Sequence, residues 1–273
     1  MAKIAFHVSQ VVLICTVILA IGAAAQTATS DSQALTLASQ SVQALTHGST
    51  VTDVTLTGTA TQTAGSWSNA GPATFKALGV AKSRLDFSAA SQGAQYQVQS
   101  EIRTLDASGH PTGAWVRPDG VKHTAALHNA FTDSAWFFPV LGSLITASQS
   151  GVIAKYIGSE THNGVAVQHL RLWHAADATQ AAIASVVPRL STVDVYLDAS
   201  SSLPVALAFK AHSDQDMNTD VPVEVRYSDY RQVNGVSVPF HVQRYLNNGL
   251  VMDFVASEVS INSGLTDAQF SVQ

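Results

Sequence analysis

The chain has 273 residues, 46% of them hydrophobic and only 12% charged, with a formal net charge of −5 and a single cysteine. That acidic balance, with no basic stripe to offset it, excludes nucleic acid and anionic membrane surfaces as expected partners. A chain of this length buries one sizeable core without needing a disulfide framework.

The first 25 residues read as a secretory signal peptide. Lys3 supplies a positive start, Val11 to Gly22 form an apolar run, and Ala23-Ala24-Ala25 offer a small-residue cleavage site before Gln26. The run is shorter than the ~20 residues that cross a bilayer, so cleavage after Ala25 is expected rather than retention as an anchor. Ile14 precedes Cys15 where lipidation wants a small residue, which argues against a lipid anchor. Cleavage removes the only cysteine, so residues 26–273 are expected to form a single exported domain, periplasmic or secreted. That domain has no thiolate, disulfide or cysteine-based metal site. Its charge becomes −6, because Lys plus Arg falls from 14 to 13 with Lys3 against 19 Asp plus Glu. A monomer that does not span the membrane is expected.

A helix comes first. Ser30 and Gln33 have capping-box spacing, Leu35, Ala38, Val42 and Leu45 recur at helical intervals, and Gly48 stands where a stop belongs. The period then changes to two. Val54, Leu56, Gly58 and Ala60 alternate with Thr55, Thr57, Thr59 and Thr61. Tyr96, Val98, Ser100 and Ile102 alternate with Gln95, Gln97, Gln99, Glu101 and Arg103. Such alternation predicts strands with one buried and one wetted face, the second set placing Glu101 and Arg103 on the wetted side. "ATFKALGV" and "SRLDFSA" read as two strands between them, completing an N-terminal meander, with "GSWSNAG" (65–71) as a turn.

"GAWVRPDGVKHTAA" reads as a hairpin around Pro118-Asp119-Gly120. It leads into "TDSAWFFPVLGSLITA" (132–147), where Thr132 or Asp133 is placed to cap a helix and Pro139 falls near its first turns. "GVIAKYIGSE" and "VAVQHLRLW" flank His162-Asn163-Gly164, a hairpin signal. An Ala-rich connection ending at Pro188 precedes five more strand-like runs, "TVDVYLDA", "PVALAFKAH", "VPVEVRYSDYRQV", "VSVPFHVQRYL" and "LVMDFVASEVSI". About a dozen short strands with few helices predict a mainly β (α+β) protein. The expected form is a curled, incomplete antiparallel β-barrel with an N-terminal helix and a helical plug or lid.

The order of elements resembles the periplasmic lipoprotein-carrier superfamily, the LolA/LolB-like proteins, and secreted bacterial proteins of that type. "VYLDASSSLPVALAF" is similar to the family's strand-turn-strand with an aspartate, a small-residue turn and Leu-Pro. "YSDYRQVNGVSVPFHVQRY" is similar to the hairpin that follows it, with Tyr230, Gly235, Pro239 and Phe240 at the recurring places. The resemblance implies an incomplete barrel whose apolar concave face, covered by helices, holds acyl chains or another apolar ligand. Carriers of this kind latch the lid with an arginine near the third strand. Here "AKSRLDF" offers Lys82 and Arg84, neither in the family's Arg-Pro context.

Phe131, Trp136, Phe137, Phe138, Leu141 and Leu144, with Arg84, are the expected ligand-binding residues. The apolar members either fill a core beneath a helix or plug a cavity, and both readings bury them. His123 and His128 are five apart, as are His169 and His174, a spacing that fits neither a helical nor a strand metal pair. With no acidic or cysteine neighbour in sequence, they are expected to be solvated or singly bonded. Asp214, Asp216, Asn218 and Asp220 alternate as in a calcium loop, but Thr219 and Val225 stand where glycine and glutamate are required. A polar turn between strands is expected there, with weak calcium binding as the alternative. No nucleophile or phosphate-loop motif is present, so the chain is expected not to be an enzyme and to need no cofactor. A lipid or an acylated protein is the expected partner, and an envelope structural protein with a filled cavity is the alternative.

Overall fold

Thirteen strands form one antiparallel sheet in a computed structural model that describes residues 28–88, 98–175 and 184–271. The signal-peptide reading, and Gln95, Tyr96 and Gln97 of the second alternating run, lie outside the described residues. Along the sheet the order is β6-β5-β4-β3-β2-β1-β13-β12-β11-β10-β9-β8-β7. Every neighbouring pair is therefore sequential except β1 with β13. The first half comprises β1 (Asp53–Ala64), β2 (Trp67–Leu78), β3 (Lys82–Phe87), β4 (Ser100–Leu105), β5 (Pro111–Val116) and β6 (Lys122–Thr124). The second comprises β7 (Val152–His162), β8 (Val165–His174), β9 (Val193–Asp198), β10 (Pro204–Ser213), β11 (Asp216–Val233), β12 (Val236–Leu246) and β13 (Gly249–Ile261).

Residues directly opposite one another in an antiparallel pair share a face. Leu56, Phe75, Leu85, Glu101, Trp115 and His123 therefore make one row across β1 to β6. Tyr156, Leu170, Val195, Leu207, Val225, Arg244 and Met252 make a row on the same face across β7 to β13. Glu101 on β4 and Arg244 on β12 approach to 3.6 Å although four strands stand between them. In a flat sheet they would be about 24 Å apart, at ~4.8 Å per strand. The sheet is thus curled into an incomplete barrel, not closed, and this row-bearing face is its concave side.

The turns follow the sequence signals. Asn163-Gly164 and Asn234-Gly235 both have positive φ at each position (49° and 83°, 50° and 82°), the pairing that a two-residue hairpin turn needs. Asp198 accepts hydrogen bonds from the backbone and hydroxyls of Ser200 and Ser201, organising the turn before β10. Tyr230 Oη donates to the Pro204 carbonyl at 2.8 Å, tying the two hairpins of the family resemblance together. β2 starts earlier than expected, at Trp67, so only Gly65 and Ser66 remain as turn.

Helix α1 (Ser32–Thr46) buries Ala34, Ala38, Ser41 and Leu45 against β7, β12 and the aromatic segment. Its N-terminus corrects the capping-box expectation. Asp31 is the N-cap without a side-chain cap bond, and Ser30 and Asp31 turn instead to the edge strand β7. Ser30 Oγ accepts the Ala154 N–H at 3.0 Å, and Asp31 pairs with Lys155 at 2.7 Å and accepts the Tyr156 N–H at 3.2 Å. The unpaired edge satisfies its backbone with these groups, so they are unavailable to the helix. The helix stops at His47 in the left-handed region (φ 49°), one residue before Gly48.

Candidate functional site

Residues 125–147 cross the concave side between the two sheet edges. Their helical content is confined to 3-10 turns at Leu127–Asn129 and Pro139–Leu141 and a single-turn helix α2 (Ser143–Thr146). Pro139 forces Phe138 into extended backbone, and Gly142 is extended again, so no continuous helix forms. Asp133 caps α2 from ten residues away: its carboxylate accepts the Ser143 N–H at 2.9 Å and the Ser143 hydroxyl. A Cβ on Gly142 would lie 3.0 Å from that carboxylate, which keeps position 142 small.

Trp136, Phe137, Phe138, Leu141 and Leu144 are all buried in the main core. Phe75 is the centre of the aromatic contacts, with ring centroids 4.1 Å from Phe254, 5.2 Å from Phe137, 5.5 Å from Phe87 and 6.3 Å from Trp136. Phe131 is separate. It lines a smaller cleft of about 190 Å³ with Val80, Leu105, Pro111 and His174. Arg84 is separate as well, on the opposite face of the sheet. It lies in the row Lys76, Arg84, Ile102, pairs with Asp86 at 2.8 Å, and donates to the Gln269 carbonyl at 3.4 Å. Arg84 thus braces the C-terminal turn Asp267–Phe270 against the convex side.

Polar groups pin the segment at its start and middle. The Asn129 carboxamide donates to the His212 carbonyl at 2.7 Å and accepts the His212 N–H at 2.9 Å. His128 Nε2 bonds the Ser213 carbonyl at 2.8 Å, and Arg103 donates to the Asn129 carbonyl. Further along, Ser134 Oγ donates to the Val80 carbonyl at 2.7 Å and Tyr227 Oη donates to the Trp136 carbonyl. Burial holds the Tyr227 hydroxyl well above its ordinary pKa, so it stays a donor.

Two clefts open on the concave side, the larger bordered by Ala125, Asn129 and Thr132 of the segment and the other by none of its residues. The larger, about 400 Å³, is lined by Val98, Glu101, Arg103, Trp115, Phe209 and Arg244, among others. The second, about 230 Å³, is lined by Trp67, Phe87 and Met252 and shares Val98, Glu101 and Arg244. Glu101 and Arg103 correct the wetted side expected for them: they point into the concave side and are only 18% and 14% exposed, while Ser100 and Ile102 are buried, as expected, on the other face. Burial pushes the Glu101 carboxyl up, but the guanidiniums of Arg244 and Arg103 outweigh it and hold the carboxyl below its ordinary value. Local alternation gives no signal of this, because Arg244 lies far along the chain and meets Glu101 only once the sheet curls.

The histidines also have acidic neighbours that sequence spacing concealed. His169 is buried on the convex face with Asp194 at 2.8 Å and Glu160 at 3.1 Å, and His212 is buried with Asp220 at 2.9 Å. These carboxylates come from adjacent strands or from across a hairpin. Asp216 is bonded locally by Asn218 and Thr219, and Asp220 by Arg189 and His212, so the acidic run is a tight turn at Asp214 and Gln215 leading into the start of β11. Among the described residues no group of three or more His, Cys, Asp or Glu is placed to hold a metal ion. No described helix is long and apolar enough to cross a membrane.

No family model matches this sequence, and no curated protein matches it either. Solved structures do share its architecture. A domain from Vibrio parahaemolyticus named for outer membrane lipoprotein sorting matches with a TM-score of 0.54 at 14% identity, covering 87% of this chain and 96% of that one. A DUF1329 family protein from Desulfovibrio piger gives 0.53 at 12% identity over 88% and 96% of the two chains. A LolA superfamily protein from Nitrosomonas europaea gives 0.51 at 12% identity over 88% and 97%. Identities this low speak to architecture alone, and the curled sheet, the N-terminal helix and the covered concave face agree with it: the chain has a LolA/LolB-like fold.

Proposed function

We propose that residues 26–273 form an exported, non-enzymatic carrier or sensor. It acts as a periplasmic or secreted monomer and holds a lipid or the acyl chain of a modified protein on its concave face. The observation that carries this reading is the construction of residues 125–147. Trp136, Phe137, Phe138, Leu141 and Leu144 form an apolar plug with little regular structure. Side-chain hydrogen bonds pin its start at Asn129 and its middle at Trp136, and the concave face holds clefts of about 400 and 230 Å³ with aromatic walls, the larger bordered by Asn129 and Thr132. Pockets for small ligands are mostly apolar with a few placed polar groups. Displacing the plug would expose the core row of the sheet, and an acyl chain would replace its burial at about 25 cal/mol per Å².

Expression in a Gram-negative periplasm followed by native mass spectrometry tests this. Co-purified lipid, displaced by a fluorescent fatty-acid probe, is expected. A clean apo mass together with no probe uptake counts against it.

A second reading rests on the complete burial of Phe137 and Phe138. In it the plug never leaves, and the protein is an envelope scaffold with a filled cavity. Crosslinked protein partners with an empty lipid fraction favour that reading.

A further inference from the structure

Arg244 is the one charged residue in the concave row Tyr156, Leu170, Val195, Leu207, Val225, Arg244, Met252. Its guanidinium lies over the Trp136 ring, 4.9 Å from the centroid, and its side chain is only 22% exposed. A guanidinium carries five N–H donors, and burying them without acceptors is unfavourable. Yet among the described residues its guanidinium is answered by a single carboxylate, Glu101, with Oε2 at 3.6 Å, which leaves most of its donors without a protein acceptor. Arg103, by contrast, is engaged by Glu101 Oε1 at 3.3 Å and by the Asn129 carbonyl. Two guanidiniums thus share one carboxylate, and the one with unused donors lines both clefts. An excess positive charge with a preformed planar fork, set at the end of an aromatic trough, is complementary to a compact anion attached to an apolar chain.

We infer that Arg244 is an anion-recognition residue, and that the ligand is an amphiphile whose carboxylate or phosphate head accepts from its guanidinium while the tail lies among the aromatic side chains. This rests on the carrier reading above and adds a head-group requirement to it. Trp136 holds the guanidinium by its ring face, so the plug and the head-group site are coupled.

The test is calorimetric binding of dodecanoate, dodecyl phosphate and dodecanol to the mature protein and to its Arg244→Gln, Arg244→Lys and Glu101→Gln variants. The wild type is expected to bind the anions about tenfold or more tighter than the alcohol, the gain of one charge-assisted contact. The ratio of dodecanoate to dodecyl phosphate affinity identifies which head is preferred. Arg244→Gln should bring the anions to within about twofold of the alcohol, and Arg244→Lys should keep part of the preference. Glu101→Gln removes the competing carboxylate and should tighten anion binding, so the inference stays testable should Arg244→Gln fail to fold. Equal affinity for alcohol and anions in the wild type, or an anion preference that survives in Arg244→Gln, overturns the inference and leaves the carrier reading standing. Binding of none of the three overturns both.

Discussion

The carboxamide of Asn129 holds the main chain of His212 in both directions, donating at 2.7 Å and accepting at 2.9 Å, as a neighbouring strand would. One side chain thereby substitutes for a strand pairing between β10 and the start of the plug. Asn129→Ala leaves the His212 N–H and carbonyl without partners, at a cost of about 1–3 kcal/mol. Amide exchange in residues 127–146 should accelerate while the β1–β13 pairing keeps its protection. Unchanged exchange in that segment would show that Asn129 is not the latch.

Phe137 is fully buried and in ring contact with Phe75 and Trp136. Phe137→Ala should lower unfolding free energy by about 3–5 kcal/mol, the usual range for an aromatic truncated in a core. A long-chain fatty acid should restore part of that loss in a denaturant titration by occupying the space. A loss below about 1 kcal/mol would mean that the neighbours collapse around the site.

The Asp133 carboxylate, turned in towards Ser143, has its pKa raised above 3.8 by desolvation, against the hydrogen bonds from Ser143 that oppose the shift. The folded state therefore holds this proton more tightly than the unfolded chain does. Its contribution is fully present below pH 3.8 and is lost as pH rises through the folded-state value. The thermal midpoint of Asp133→Asn minus that of the wild type should consequently increase with pH across this acidic window. A flat difference would exclude a raised value.

Gly58 sits at the irregularity between β1 and β13, where a Cβ would come within 2.1 Å of the Val255 carbonyl oxygen. Gly58→Ala must push the two strands apart. Destabilisation of at least about 1–3 kcal/mol, as for overpacked cores, is expected in equilibrium denaturation.

Arg84 lies on the convex side, so Arg84→Ala should leave fatty-acid affinity unchanged. Losing its half-buried pairing with Asp86 should cost no more than about 1 kcal/mol of stability. Loss of ligand affinity in this variant would contradict its placement.

The strands and tight turns were legible because their signals are local. Period-two patterning marks β1, and Asn163-Gly164 and Asn234-Gly235 supply the positive φ of their hairpins. The burial of Trp136, Phe137 and Phe138 was legible for the same reason, since bulky apolar clusters seek cover. Glu101 was not legible. Its polarity signals an outward position, and the partner that makes an inward one tolerable, Arg244, is brought near only by curvature. Ser30 shows the same limit at a helix end, where an edge strand far along the chain competes for the capping group. Arg84 shows it in the other direction: a motif-like position on β3 says nothing of which face it occupies until the register with Phe75 and Leu85 is known.

The β1–β13 ladder has a consequence for how the molecule is assembled. All other strand pairings join neighbours in the chain, so each flank of the sheet can zip up by local hairpins. The seam between the flanks brings Val54 beside Ile261, and it must wait until the last strand is available. Until then two half-shells with exposed borders coexist, and a mutation that slows the closing ladder should raise aggregation during production more than it alters the finished protein.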